Sequence, residues 1–151
     1  MALSALFVAI WNSYVTRRHF RLSVRPHLNI CIKTDSLAPQ LVVEVNNNGL
    51  GPAIIYASRV YIDEVLQPLR CHNHWSDIVH KLRFVGCEFQ SYILSEEEAL
   101  GSNHTMMLLT VCDKSKKLYD ANAIESVTSR LRIEIDYRSM YGEKFKAQVG
   151  K

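Results

Sequence analysis

LRIEIDYRSMYGEKFKAQV, residues 131–149, is the stretch that decides the fold class. Leu131, Ile133, Ile135 and Tyr137 alternate with Arg132, Glu134, Asp136 and Arg138. After Ser139 to Glu143, which holds one glycine, Phe145, Ala147 and Val149 alternate with Lys144, Lys146 and Gln148. Successive side chains of a strand point to opposite faces, so a period of two with one apolar face reads as a half-buried strand, a loop and a returning strand.

The same period recurs upstream. In HLNICIK, residues 27–33, Leu28, Ile30 and Ile32 share a face; in QLVVEVN, residues 40–46, Leu41, Val43 and Val45 do. The turn-prone Asp35-Ser36 and Pro39 join these two strands. A third run, AIIYASRVYID, begins at Ala53, and Phe89 to Leu94 and Thr105 to Cys112 read as further strands. Trp75, Ile78, Val79 and Leu82 instead recur at helical spacing, with Asn73 or Ser76-Asp77 available to cap the start of a short amphipathic helix. About seven short strands with one or two short helices predict a mainly β fold, an immunoglobulin-like β-sandwich in preference to a barrel.

A chain of 151 residues with 48% hydrophobic content suits one core. The expected organisation is an apolar helix with a basic flank over residues 1–22 and a β domain over 23–151. The formal charge of +3 is concentrated: Arg17, Arg18, Arg21 and Arg25 fall together, and without them 14 basic residues face 15 acidic ones. That balance leaves the β domain no nucleic-acid-binding excess. Cys31, Cys71, Cys87 and Cys112 are widely spaced, as expected of reduced, mostly buried thiols in a cytosolic compartment.

Residues 2–15, ALSALFVAIWNSYV, carry no charge and would be apolar all round a helix, which calls for lipid or a protein core. At 1.5 Å per residue they extend roughly 21 Å, short of the ~30 Å of a bilayer's hydrocarbon. The positive charges follow the apolar run, the reverse of a secretory signal peptide. Arginine excess marks a cytoplasmic flank, so the expected location is the inner membrane, single-pass, with the domain on the cytosolic side. Trp11 and Tyr14 stand where interfacial aromatics do, and Arg25-Pro26 ends the helix.

The run TRRHFRLSVRPHL after an apolar helix, with NNNGLGPA and DYRSMYGEKF further on, resembles a loose group of uncharacterised bacterial membrane-anchored proteins. The resemblance implies one membrane helix with a sandwich-like domain, and brings no catalytic residue with it.

Two constellations have the makings of a site. Asn46, Asn47, Asn48, Gly49, Gly51 and Pro52 form a loop rich in residues that accept unusual backbone angles, a candidate binding loop. Arg17, Arg18, Arg21 and Arg25, with Trp11 and Tyr14, form a candidate lipid-proximal set. Cys71, His72, His74 and His80 are ligand-type residues, but their spacing matches no standard zinc pattern. Glu96 to Glu98 read as a solvated turn. No phosphate loop, nucleophile elbow, HExxH helix or CxxC pair occurs. The expectation is a non-enzymatic, membrane-anchored interaction module that uses no cofactor or metal, engages the membrane and a protein partner or a second copy, and binds no nucleic acid. The alternatives are a small-ligand or metal-dependent hydrolytic domain using Cys71, His72 and His74, and a structural subunit of a membrane complex.

Overall fold

The structure is a computed structural model that describes residues 2–35, 40–69, 72–82, 84, 87–112, 127 and 129–150. Helix α1 (Ala2–Ser23) precedes strands β1 (Leu28–Asp35), β2 (Gln40–Asn47), β3 (Ala53–Ile62) and β4 (Val65–Gln67). Helix α2 (His72–Lys81) follows, and then β5 (Glu88–Ser91), β6 (Ala99–Leu100), β7 (Thr105–Cys112), β8 (Leu131–Arg138) and β9 (Lys144–Val149). The fold is mainly β.

The strands form two antiparallel sheets, one in the order β1-β2-β7-β5 and the other β4-β3-β8-β9, with β6 added beside β3. Their inward faces share one core. Val43 and Val45 of β2, Leu109 and Val111 of β7, Ile55 and Val60 of β3, and Ile133 and Ile135 of β8 are all essentially inaccessible. Each such side chain contributes about 1.5–3 kcal/mol by leaving water. Along one margin β1 runs beside β9, where the Leu28 amide donates to the Tyr137 hydroxyl at 3.2 Å and ties the sheets together.

The alternation at 131–149 is realised as a ladder in which Ile133 faces Val149, Ile135 faces Ala147 and Tyr137 faces Phe145. The periodicity of Trp75, Ile78, Val79 and Leu82 is likewise a helix face: all four are buried, while Asp77 and His80 are exposed. A register shift between Val43 and Glu44 in the β2–β7 pairing breaks the simple alternation. Val43 faces Leu109 and Glu44 faces Met107, so Leu108 is the extra residue on β7 and lies buried in succession with Leu109, as in a bulge that re-aims its side chains.

Several expectations need correction. Two short strands, β4 and β6, were not foreseen; three and two residues are too few for a period to register. The strand expected over Phe89 to Leu94 ends at Ser91. Cys31, Cys87 and Cys112 are half-buried, not buried; Cys71 lies outside the described residues. Helix α1 continues through the basic run to Ser23, where Ser23 Oγ donates to the Phe20 carbonyl at 2.9 Å. Only its first part is free of charge. Among the described residues no helix is long and apolar enough to cross a membrane.

Candidate functional site at the helix–sheet junction

The loop from Asn46 to Ala53 owes its shape to Asn47, which is fully buried. Its Oδ1 accepts the amides of His27 (3.1 Å) and Gly49 (3.0 Å). Its Nδ2 donates to the carbonyls of Gly51 (2.8 Å), Leu100 (3.0 Å) and Gly101 (3.1 Å). The backbone joins in: Asn48 donates to the His27 carbonyl at 2.8 Å, and Asn103 donates to the Asn47 carbonyl at 2.9 Å. One side chain thus bonds backbone groups of three separate segments, around His27, Gly49 to Gly51, and Leu100 to Gly101, the kind of pairing that buried backbone groups require.

Glycine is required at two places in this loop for want of space. A Cβ on Gly49 would collide with the backbone of Arg25 and His27, and one on Gly51 with the Val24 carbonyl. Pro26, the residue that stops α1, is buried at this junction. The two regions singled out separately in the sequence, the basic run and the asparagine-glycine loop, are therefore one structural unit. Asn47, Gly49 and Gly51 seat the chain leaving α1. Asn48 is exposed, as is Leu50, whose side chain is 72% accessible.

Above this seat lies a basic, aromatic surface. A cleft of about 370 Å³ between α1 and the β8–β9 loop is lined by Tyr14, Arg17, Arg18, Arg21, Leu22 and Glu143. An adjoining cleft of about 320 Å³ is lined by Arg17, Phe20, Arg21 and Tyr141. The Arg21 guanidinium stands over the Tyr141 ring at 5.6 Å and that of Arg25 over Phe145 at 4.6 Å, with Phe145 stacked on Tyr137 at 5.4 Å. Such contacts hold a cation against a ring face without neutralising it. Among the described residues none of Arg17, Arg18, Arg21 and Arg25 forms an ion pair.

Tyr141, Glu143, Phe145 and Phe20 are not among the site residues that the sequence suggests. The tyrosine-glycine-glutamate loop reads only as a connection, and nothing local says that it meets a helix some 120 residues earlier. Trp11 and Tyr14, which were noticed, sit on the exposed helix with their rings 6.5 Å apart. Trp11 does not line either cleft.

A second polar depression, about 320 Å³, lies beside the loop and is lined by Lys33, Glu44, Asn46, Asn48, Asn103 and His104 among others. The Lys33 ammonium and the Asn46 amide hold the Glu44 carboxyl below its ordinary range. Glu96 to Glu98 serve structure: Glu98 accepts from the Tyr92 hydroxyl and the Ser95 amide, and Glu97 pairs with Arg138. Of the cysteine-histidine cluster, Cys71 and the side chain of His72 lie outside the described residues. His74 is half-buried and His80 exposed on α2. Among the described residues no group of three or more His, Cys, Asp or Glu side chains is placed to hold a metal.

No protein-family model and no curated protein matches the chain. Among solved structures it is similar to the archaellum periplasmic stator protein FlaG from Sulfolobus acidocaldarius, at 16% identity and a TM-score of 0.32, over 82% of this chain and 97% of that one.

Proposed function

We propose that this chain is a non-enzymatic interaction module held at the cytosolic face of a membrane, with α1 as its attachment and the β domain as the part that meets a protein partner or a second copy. The observation that carries the reading is the state of α1. Leu6, Phe7, Val8, Ile10 and Trp11 are 54–70% exposed, and a helix apolar all round needs apolar surroundings to be stable. The four arginines follow at once, where the headgroups of anionic lipids would meet them. The attachment is by insertion into the membrane rather than by a crossing helix.

The β domain is read as an immunoglobulin-like sandwich. In support, the order β1-β2-β7-β5 corresponds to strands A, B, E and D of that fold, and β9-β8-β3 to G, F and C, with β4 beside C as C′. The tryptophan differs: Trp75 comes from α2, whereas antibody domains carry theirs on strand C. Loops at the end of such a scaffold are well suited to binding. The alternative of a structural subunit draws on the same exposed helix, which would then be covered by neighbouring helices. The metal-dependent alternative draws on Cys71, His72 and His74, of which Cys71 and the side chain of His72 lie outside the described residues.

Trp11 provides the test. The chain has two tryptophans, and Trp75 is buried, so a Trp75→Phe variant leaves Trp11 as the sole reporter. Adding phospholipid vesicles is expected to shift its emission to the blue and shield it from an aqueous quencher. An unshifted, freely quenched Trp11 at saturating lipid would sink the membrane reading.

A further inference from the structure

We infer that the cleft between α1 and the β8–β9 loop is a binding site for the phosphate headgroup of an anionic phospholipid, and that the β domain contributes to it. The inference rests on the membrane reading above and adds to it a ligand class and a second point of contact.

Charge and position argue for this occupant. Arg17, Arg18 and Arg21 converge on the larger cleft with one carboxylate, Glu143, and among the described residues none of the three is neutralised. An unpaired cluster of guanidiniums is suited to the planar, forked recognition of a phosphate. Tyr14 and Arg21 are seven residues apart on the helix, or about 10 Å along its axis. That is somewhat more than the ~5–7 Å a headgroup layer adds on each side of the hydrocarbon, so the cleft spans it. The exposed apolar residues of α1 beyond Tyr14 begin at Trp11, three residues away.

The domain also presents exposed apolar side chains near α1. Tyr141 on the β8–β9 loop is 47% exposed and lines the adjoining cleft with Phe20, its neighbour Met140 is 57% exposed, and Leu50 is exposed on the loop that seats the helix exit. Apolar tips around a basic cleft are the makings of an interfacial contact. The seat formed by Asn47, Gly49 and Gly51 holds the exit of α1 against the domain. Insertion of α1 would therefore bring the loop down onto the lipid surface.

The experiment is flotation of the full chain with vesicles of phosphatidylcholine alone and of phosphatidylcholine with phosphatidylglycerol, for the wild type, Arg18→Gln/Arg21→Gln and Tyr141→Ser. The expected result is a preference for the anionic vesicles that falls roughly 30-fold in the double variant and about 2–5-fold in Tyr141→Ser, with binding to neutral vesicles unchanged in both. Equal flotation of the wild type with both vesicles would overturn the headgroup site while leaving membrane attachment standing. Flotation with neither would remove both. An unaltered preference in Tyr141→Ser, with loss in the double variant, would mean that charge acts without the cleft and overturn the site. Displacement from the anionic vesicles by inorganic phosphate at matched ionic strength would reassign the cleft to a soluble phosphate.

Discussion

Gly51 lies with its Cα against the backbone carbonyl of Val24, so that a Cβ built on it would overlap the carbonyl oxygen and stand 2.6 Å from the carbonyl carbon. The obstacle is backbone, which has no rotamer to change. Gly51→Ala is expected to cost about 1–3 kcal/mol, in the range of an overpacked core. Gly101→Ala, with nothing within 4 Å of the added carbon, should stay within about 0.5 kcal/mol of wild type. Thermal unfolding followed by circular dichroism compares the two. Equal melting temperatures would remove the argument that the loop grips the helix exit.

Asn47 makes five hydrogen bonds from a buried site. Asn47→Ala would remove one partner from two amides and three carbonyls, of which the Gly101 carbonyl keeps the His104 amide, and each group left buried and unmade costs about 1–3 kcal/mol. The expected loss is at least about 3 kcal/mol, with partial relaxation around the site taken into account. Asn47→Asp should be no milder, because a carboxylate cannot donate to the three carbonyls. Urea titration reads this directly, and a loss under about 1 kcal/mol would argue against a pinning role.

Glu44 gives the fold an acid-sensitive contact. The Lys33 side chain first, and then the Asn46 amide, lower its pKa below the ordinary 4.5. A carboxyl with a depressed folded-state pKa adds stability that is present above its unfolded pKa and lost as pH falls through the folded one. The wild type should therefore lose stability below about pH 4.5 more steeply than Glu44→Gln, with the two curves parallel at higher pH. Lys33 is largely exposed, so the gap at neutral pH should be small. Parallel acid limbs in urea melts across this range would contradict the assignment.

Glu134 is the shared anion of the outer face of the second sheet. Lys146 approaches it to 2.9 Å, Arg132 to 3.6 Å and Arg59 to 3.9 Å, while Arg59 also meets Asp136 at 2.6 Å. Glu134→Gln leaves three cations around a neutral amide and should cost about 1 kcal/mol, modest because the cations are partly solvated. Added salt screens the resulting repulsion, so the cost should shrink at 1 M ionic strength. A salt-independent difference would mean that the side chain matters for packing and not for charge.

The charged face also illustrates what the sequence conveys. Alternation put Glu134 on the outward side of β8, which is correct, and there it reads as a solvent-facing acid. Its 8% exposure comes from arginine and lysine side chains on β3, β8 and β9 that close over it, a consequence of strand pairing. Trp75, Ile78, Val79 and Leu82 were legible for the opposite reason: a helix face is written in spacings of three and four residues, and burial follows whatever it packs on.

The sequence by itself determined the seven longer strands, the amphipathic α2 and the end of α1 near Pro26. Each of these depends on side-chain periods or backbone restrictions acting within a few residues. Only the tertiary structure decided that Asn47 is a structural hub, that Gly49 and Gly51 exist to admit Val24 to His27, and that Arg21 meets Tyr141. Those relationships join residues roughly 20 to 120 positions apart. Their energies come from satisfying buried backbone groups and from the close approach of segments, and no local pattern records which distant segment will arrive.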